Sequence, residues 1–111
     1  TRDRFGAMMP PAEASPEAQA GFAEFRIHCS KCHAVNGQGG AIGPELNAAA
    51  SPVEYRPRDW LRTWIDDPSR IAPAARMPAL NPALPDRERT IDRILAYLES
   101  MARARRTSGG S

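Results

Sequence analysis

Cys29-Ser30-Lys31-Cys32-His33 restricts this chain more than any other stretch. Two cysteines three apart put both sulfurs on one face of a helical turn, and the histidine projects from the same turn. Three chemistries compete for such a cluster. A redox disulfide of thioredoxin type wants a surrounding βαβ pattern, and no strand pattern appears in the sequence. A structural zinc site needs four ligands, usually as two separated pairs. The chain has two Cys and two His in all, with His28 and His33 at either end of one short stretch, a poor wrap for a tetrahedral ion. The third object is a porphyrin with two vinyl groups and a central iron. Each thiol adds across a vinyl to make a thioether, and His33 reaches the iron from one side. Cys-x-x-Cys-His reads as c-type haem attachment, and axial-ligand identity sets what such an iron does.

Composition agrees with a cofactor-filled interior. The chain has 111 residues, one domain's worth, with 11 Pro, 8 Gly, 41% hydrophobic and only 6% aromatic residues. Ordering a chain of this size costs on the order of 100–200 kcal/mol in conformational entropy. Few large apolar side chains oppose that cost, so the core is thin and a bound macrocycle supplies missing apolar surface. Net charge is +2, and Lys31 is the sole lysine among 15 basic residues. No clustered basic face of the kind nucleic acid requires is visible, so no nucleic-acid partner is expected. No apolar run is long enough for a transmembrane helix, and no signal-peptide pattern is present. The chain begins at Thr1 without Met, and a mature or excised product is the expectation.

Residues 1–14 mix charge, Met and Pro without a period and read as an arm or tether. Ser15-Pro16-Glu17 is a helix start, with Ser15 as N-cap and Pro16 at the first helical position. Ala18, Phe22, Phe25 and Cys29 then trace one helical face ending in the haem-attachment turn. Gly21 lies mid-helix, where glycine costs about 1 kcal/mol against alanine; close approach of a second helix explains it best. Residues 34–57 read as loop, punctuated by Asn36-Gly37, Gly39-Gly40 and Gly43-Pro44. A buried imidazole ligand donates its other N–H to an orienting acceptor. The Pro44 carbonyl is the natural candidate, and an ordinary turn proline is the alternative.

Residues 58–67 predict a short helix with Trp60, Leu61, Trp64 and Ile65 on one stripe, stopped at Asp67-Pro68. The segment 71–80 is a loop stiffened by Pro73 and Pro78, with Met77 at its centre. A thioether held there has no helical packing role, whereas Met8 and Met9 lie in the arm and Met101 on the last helix. Met77 is therefore the candidate second axial ligand, with core filler as its alternative. The last helix begins near Pro85 or Asp86 and runs to about Ala102, with Ile91, Ile94, Leu95, Leu98 and Met101 on its apolar face. Arg103, Arg105 and Arg106 read as a solvated helix end suited to the dipole. Residues 103–111 form a tail.

With these residues in place, the chain resembles the class I c-type cytochromes over about residues 15–102. The resemblance rests on ordered parts: Gly21-x-x-x-Phe25, Cys29-x-x-Cys32-His33, Gly43-Pro44-x-Leu46, Trp64-Ile65-x-Asp67-Pro68, Met77-Pro78 and Ala96-Tyr97-Leu98. It implies a small all-α fold, helices and long loops wrapped around one covalent haem c. It also implies that the first helix crosses the last near Gly21, Phe25, Ile94 and Tyr97, and that Pro44 presents its carbonyl to His33. The chain lacks the lysine-rich face of mitochondrial members and the glycine often found before the methionine. Its Trp-Ile-x-Asp-Pro block looks more like bacterial cytochromes and cytochrome domains joined to oxidase, reductase or dehydrogenase subunits.

The expected function is one-electron transfer between redox partners, a terminal oxidase or a dehydrogenase among them, as a monomer or tethered domain. His33 and Met77 would fill both axial positions and Cys29 and Cys32 hold the haem. Leu46, Trp60, Trp64, Ile71 and Leu80 would pack near it, and Tyr55, Arg56, Arg58, Trp60 and Arg76 are the pool for propionate contacts. Attachment outside the bacterial cytoplasm makes the expected location periplasmic, free or tethered to the outer face of the cytoplasmic membrane. Two rivals stand beside this reading. One is an electron-input domain of a larger enzyme. The other is a haem enzyme or gas sensor in which Met77 only packs and the sixth position is open.

Overall fold

A computed structural model describes residues 6–109. Ser15 caps the first helix, α1 (Pro16–His28): its Oγ accepts from the Ala18 amide at 3.1 Å. Pro16 occupies the first helical position, where a missing N–H costs nothing. Ala18, Gly21 and Phe25 are the buried face of this helix; of the stripe expected from the sequence, Ala18 and Phe25 are buried and Phe22 and Cys29 half-buried.

That face lies against the long C-terminal helix, which runs Arg87–Gly109 and is the fourth in chain order, α4. A Cβ at Gly21 would overlap the Arg93 carbonyl oxygen and stand 2.9 Å from the Tyr97 Cβ. The two backbones therefore meet directly, and glycine is the residue that lets them. Around this point the Tyr97 ring packs on Phe25 and Phe22, with centroids 5.3 and 5.6 Å away. Ile91, Ile94, Leu95, Leu98 and Met101 are buried along α4, which gives the apolar core more residues than any other element.

Between these helices come three small elements. A two-residue hairpin pairs β1 (Ala34–Val35) with β2 (Gln38–Gly39). Its turn residues, Asn36 and Gly37, both have positive φ, the geometry that makes Asn-Gly the preferred two-residue turn. The sequence reading treated this dipeptide only as punctuation in a loop. The Glu45 carboxylate accepts from the amides of Asn36, Gly37 and Asn47 and so pins the turn. One helical turn, α2 (Pro52–Tyr55), is capped by Ser51, whose Oγ accepts from the Val53 amide. Four residues are too few to display a period, so this turn was also read as loop. The architecture is all-α as expected, and the hairpin is an ornament on it.

The third helix, α3 (Arg58–Asp66), buries Leu61 and Ile65. Its polar side reaches α4 through Arg58–Glu99 at 2.7 Å and through Arg62 to both Glu88 and Asp92. It ends where the sequence indicates, at Asp67-Pro68, and a 3-10 turn (Pro68–Arg70) follows.

Two segments differ from their sequence reading. The second half of the supposed arm docks: Met8 is fully buried and the Tyr97 hydroxyl donates to its carbonyl at 2.5 Å. Ala7 is tied on both sides, its amide to Gln38 Oε1 and its carbonyl to Asn36 Nδ2. One plug residue and backbone bonds leave no periodic trace. Residues 1–5 of that arm lie outside the described residues. At the other end α4 continues past Ala102 to Gly109, so 103–109 is helix rather than tail; 110–111 lie outside the described residues. Arg105 and Arg106 are not a bare solvated end either. Both pair with Glu54 of α2, and Arg105 Nε also donates to Asn47 Oδ1 at 3.3 Å.

Gly21→Ala is the sharpest test of the crossing. Alanine favours helix by about 1 kcal/mol over glycine, so an open site would gain stability. Here the added methyl meets backbone, and overpacking typically costs about 1–3 kcal/mol. Thermal melting of the variant is expected below the parent; a higher melting temperature would show that the helices do not touch there.

Candidate haem-attachment site

The site begins as the frayed end of α1. The Cys29 and Ser30 amides both donate to the Phe25 carbonyl, and the Cys32 and His33 amides both donate to Cys29 O. The chain thereby folds into tight turns that present two thiols and an imidazole in succession. Residues 40–43 lie along the motif, held by Gly40 N to Ser30 O at 2.8 Å and Gly43 N to Cys32 O at 2.7 Å.

His33 is only 4% exposed. Its Nδ1 stands 2.8 Å from the Pro44 carbonyl oxygen. A carbonyl only accepts, so this contact assigns the proton to Nδ1 and leaves the Nε2 lone pair free, as a metal-ligating histidine requires. A Cβ on Gly43 would sit 2.5 Å from His33 Cε1, so glycine is what lets the loop close over the ring. On another side the Trp64 ring meets the imidazole edge-on, centroids 6.0 Å apart and planes at 72°. The imidazole is therefore fixed in tautomer and orientation before any metal is considered.

Cys29 is pushed up to about 12, first by burial and then by the neighbouring Cys32. At neutral pH it is a protonated thiol, not a reactive thiolate. Both cysteines are free. Among the described residues no three His, Cys, Asp or Glu side chains form a group that could hold a metal ion, so the zinc alternative has no ligand set. The thioredoxin alternative lacks its βαβ frame, since the described strands are one two-residue hairpin.

Cys29, Cys32, His33, Pro44, Trp64 and Met77 all line one cavity of about 440 Å³. His28, Ile42, Gly43, Ala75, Arg76 and Pro78 complete its wall. That volume is within the usual range for a small-molecule or cofactor pocket. A second space of about 80 Å³ adjoins it at His28, Cys29, Met77 and Pro78, and Leu80 faces that one. A larger groove of about 640 Å³ between residues 11–18 and α4 contains no thiol, imidazole or thioether, and it takes no part in this chemistry.

Several residues expected near the cofactor stand elsewhere. Leu46 is buried in the helical core, its amide donating to Ala34 O. Trp60 stacks on Trp64 at 5.7 Å and is covered by the Arg56 guanidinium at 4.5 Å, so it forms a layer behind the wall. Tyr55 is 63% exposed, and neither it, Arg56 nor Ile71 lines the cavity. Arg58 is engaged with Glu99, which leaves Arg76 as the member of the propionate pool on the cavity wall. Sequence reasoning missed Ile42, Ala75 and Pro78. They lie in aperiodic loop, where only Gly43-Pro44 and Met77-Pro78 offered any signal.

The donor set suits a macrocycle held by two thioethers whose iron takes an imidazole nitrogen. The walls are mostly apolar, and the orienting carbonyl is in position. A scan against family models matches residues 16–98 to the family described as cytochrome c oxidase, cbb3-type, subunit III. Searches of curated proteins and of solved structures each returned no match. The matched stretch contains both thiols, His33 and Met77, and most of the helical core. On that match the chain belongs to this family and is a c-type cytochrome domain, with an electron-transfer role based on covalently bound haem c.

Proposed function

We propose that this domain is a one-electron carrier with a single haem c, ligated by His33 and Met77. The observation that carries the reading is the convergence of a pre-oriented imidazole and a loop thioether on the one cavity that also holds both cysteines. Bound haem c supplies an iron that alternates between the ferric and ferrous states. Cys29 and Cys32 hold the group, and His33 offers Nε2 while the Pro44 carbonyl steadies its ring. Met77 would offer its thioether sulfur as the second protein ligand. A thioether ligand favours ferrous iron, and a dry surround raises the potential further. Ile42, Trp64 and Pro78 give the cavity apolar lining. Nothing in this arrangement asks the protein to bind a substrate at the iron.

The family description favours one setting: a cytochrome domain passing electrons to a terminal oxidase, as part of a larger oxidase assembly. Other redox partners, a dehydrogenase or reductase among them, fit the same chemistry. The proposed location is the periplasm, or the outer face of the cytoplasmic membrane by way of a tether or partner. Among the described residues no helix is long and apolar enough to cross a membrane. Docking is proposed at the cavity mouth, where Ile42 is 83% exposed. Much arginine charge is already neutralised within the chain, where Arg58, Arg62, Arg70, Arg87, Arg93, Arg105 and Arg106 each meet a carboxylate; among the described residues Arg76 is the arginine that lines the cavity.

Three outcomes test this reading. Met77→Ala should keep its haem, because both thiols and His33 are untouched. Once reduced it should bind carbon monoxide, and its potential should fall. Met101→Ala trims a buried core residue, so it should melt earlier and leave the spectrum alone. An unchanged spectrum and potential in Met77→Ala would put the open-site enzyme or sensor first. The double variant Cys29→Ala, Cys32→Ala should give little folded protein, since the thin core needs its haem held in place. A well-folded haem-free product, seen by circular dichroism, would falsify that dependence. Electron transfer to a partner should weaken only modestly with added salt. A steep decline would mean charge steering and count against an apolar rim.

A further inference from the structure

We propose that Arg87 is a positioning residue for Met77, acting on the ligand loop from the first turn of α4; this rests on the reading of Met77 as an axial ligand. The side chain stands where helix physics does not want it. The N-terminus of a helix carries partial positive charge, and a cation there is disfavoured. Arg87 is nonetheless the first residue of α4. Its side chain is only 22% exposed, and its guanidinium pairs with the Asp66 carboxylate. It also donates to three backbone carbonyls: Asp66 and Leu80 at 2.7 Å each, and Asn81 at 3.3 Å. A planar fork of five N–H donors can span such a set, and an ammonium cannot. Arg87 thus joins the end of α3, the start of α4 and the chain just beyond Met77.

Two further observations make this joint matter to Met77. Among the described residues, the one hydrogen bond from residues 76–80 to the rest of the protein is the bond from Arg87 to the Leu80 carbonyl. Leu80 is held a second time, by its side chain in the core at 7% exposure. Met77 is then three residues from a fixed point, through Pro78, whose ring limits the path. Met77 is half-buried and Arg76, Pro78 and Ala79 are exposed. Packing alone does not wedge the loop shut. Release of the Leu80 carbonyl frees the loop to swing outward and take the thioether with it. His33 has its own support at Pro44 and is unaffected.

The test uses the haem-loaded protein and two readouts. One is the methionine-to-ferric-iron charge-transfer band, followed beside the helical circular dichroism signal during denaturant titration. The other is carbon monoxide affinity of the reduced protein. In Arg87→Gln the band is expected to disappear at lower denaturant than the helix signal, whereas in the parent they fall together. Carbon monoxide affinity should rise about tenfold, or about 1.4 kcal/mol of lost loop closure. Should Arg87→Gln fail to fold, Arg87→Lys carries the same comparison, since it keeps charge toward Asp66 but cannot span the carbonyls. If band and helix signal fall together in the variant and carbon monoxide affinity is unchanged, Arg87 is a structural ion pair only and the proposal is overturned. Met77→Ala is the control for the underlying reading. If it leaves band and affinity unaltered, Met77 is not the ligand and the proposal falls with it. If it abolishes the band while Arg87→Gln does not affect ligation, only the proposal fails.

Discussion

The contact on which this structure depends is backbone against backbone, Gly21 of α1 on the Arg93 carbonyl of α4. α1 ends in the turn that carries Cys29, Cys32 and His33, and α4 begins beside the segment that follows Met77. The crossing therefore sets the position of one group of ligands relative to the other. A side chain at Gly21 would push the helices apart and be felt in the cavity, although no residue of the crossing except Cys29's own helix reaches that wall. Tyr97 reinforces the same point. It packs two phenylalanines of α1 and donates to the Met8 carbonyl, so helix, helix and N-terminal segment share one anchor. Burial, with smaller contributions from Glu45 and Cys29, keeps its phenol protonated by raising its pKa.

The rest of the fold compensates for a small core with ion pairs that tie elements together. Arg58 and Arg62 join α3 to α4, Arg105 and Arg106 join α4 to α2, and Arg87 joins the chain beyond Met77 to α3 and α4. Exposed pairs of this kind contribute little individually, about 0–1 kcal/mol. Their effect here is geometric: each fixes which face of a helix meets its neighbour. The formal charge of +2 hides this, because seven of the arginines already meet a carboxylate.

Much of this was legible in the sequence, and the reasons differ from residue to residue. The Cys-x-x-Cys-His turn is legible because covalent attachment demands an unbroken local pattern. Gly21 is legible because a mid-helix glycine contradicts propensity and so asks for a tertiary reason. The stripes of α1, α3 and α4 follow from ordinary helical period. By contrast, the docking of Met8 rests on one side chain and three hydrogen bonds to partners far along the chain. No local pattern encodes that. Trp60 and Leu46 were assigned to the cofactor wall because core and cofactor look alike in a sequence: both attract large apolar residues. Only the fold separates the tryptophan that meets His33 from the one stacked behind it. Arg87 was invisible for the opposite reason. Read locally it is one more charge at a helix start, and its meaning lies in carbonyls contributed by two other segments.

The two candidate axial ligands are therefore supported in unlike ways. His33 is buried, its proton assigned by Pro44, its ring flanked by Gly43 and Trp64. Every one of those contacts is within the motif's own loop or the adjacent helix, so disturbing it means disturbing the core. Met77 is partly exposed, on a segment with few bonds of its own, and depends on attachments a few residues away. A ligand set built this way has a firm side and a yielding side. With the Arg87 bond to Leu80 intact the loop and the helices hold together; once a mutation at the α3–α4 joint removes it, stress from denaturant or from a partner pressing on the cavity mouth is relieved first at Met77. Its departure would leave haem, thioethers and histidine in place and change only access to the iron. On the proposed His33 and Met77 ligation, the difference between an electron carrier and an open haem site thus comes down to how firmly one loop is held.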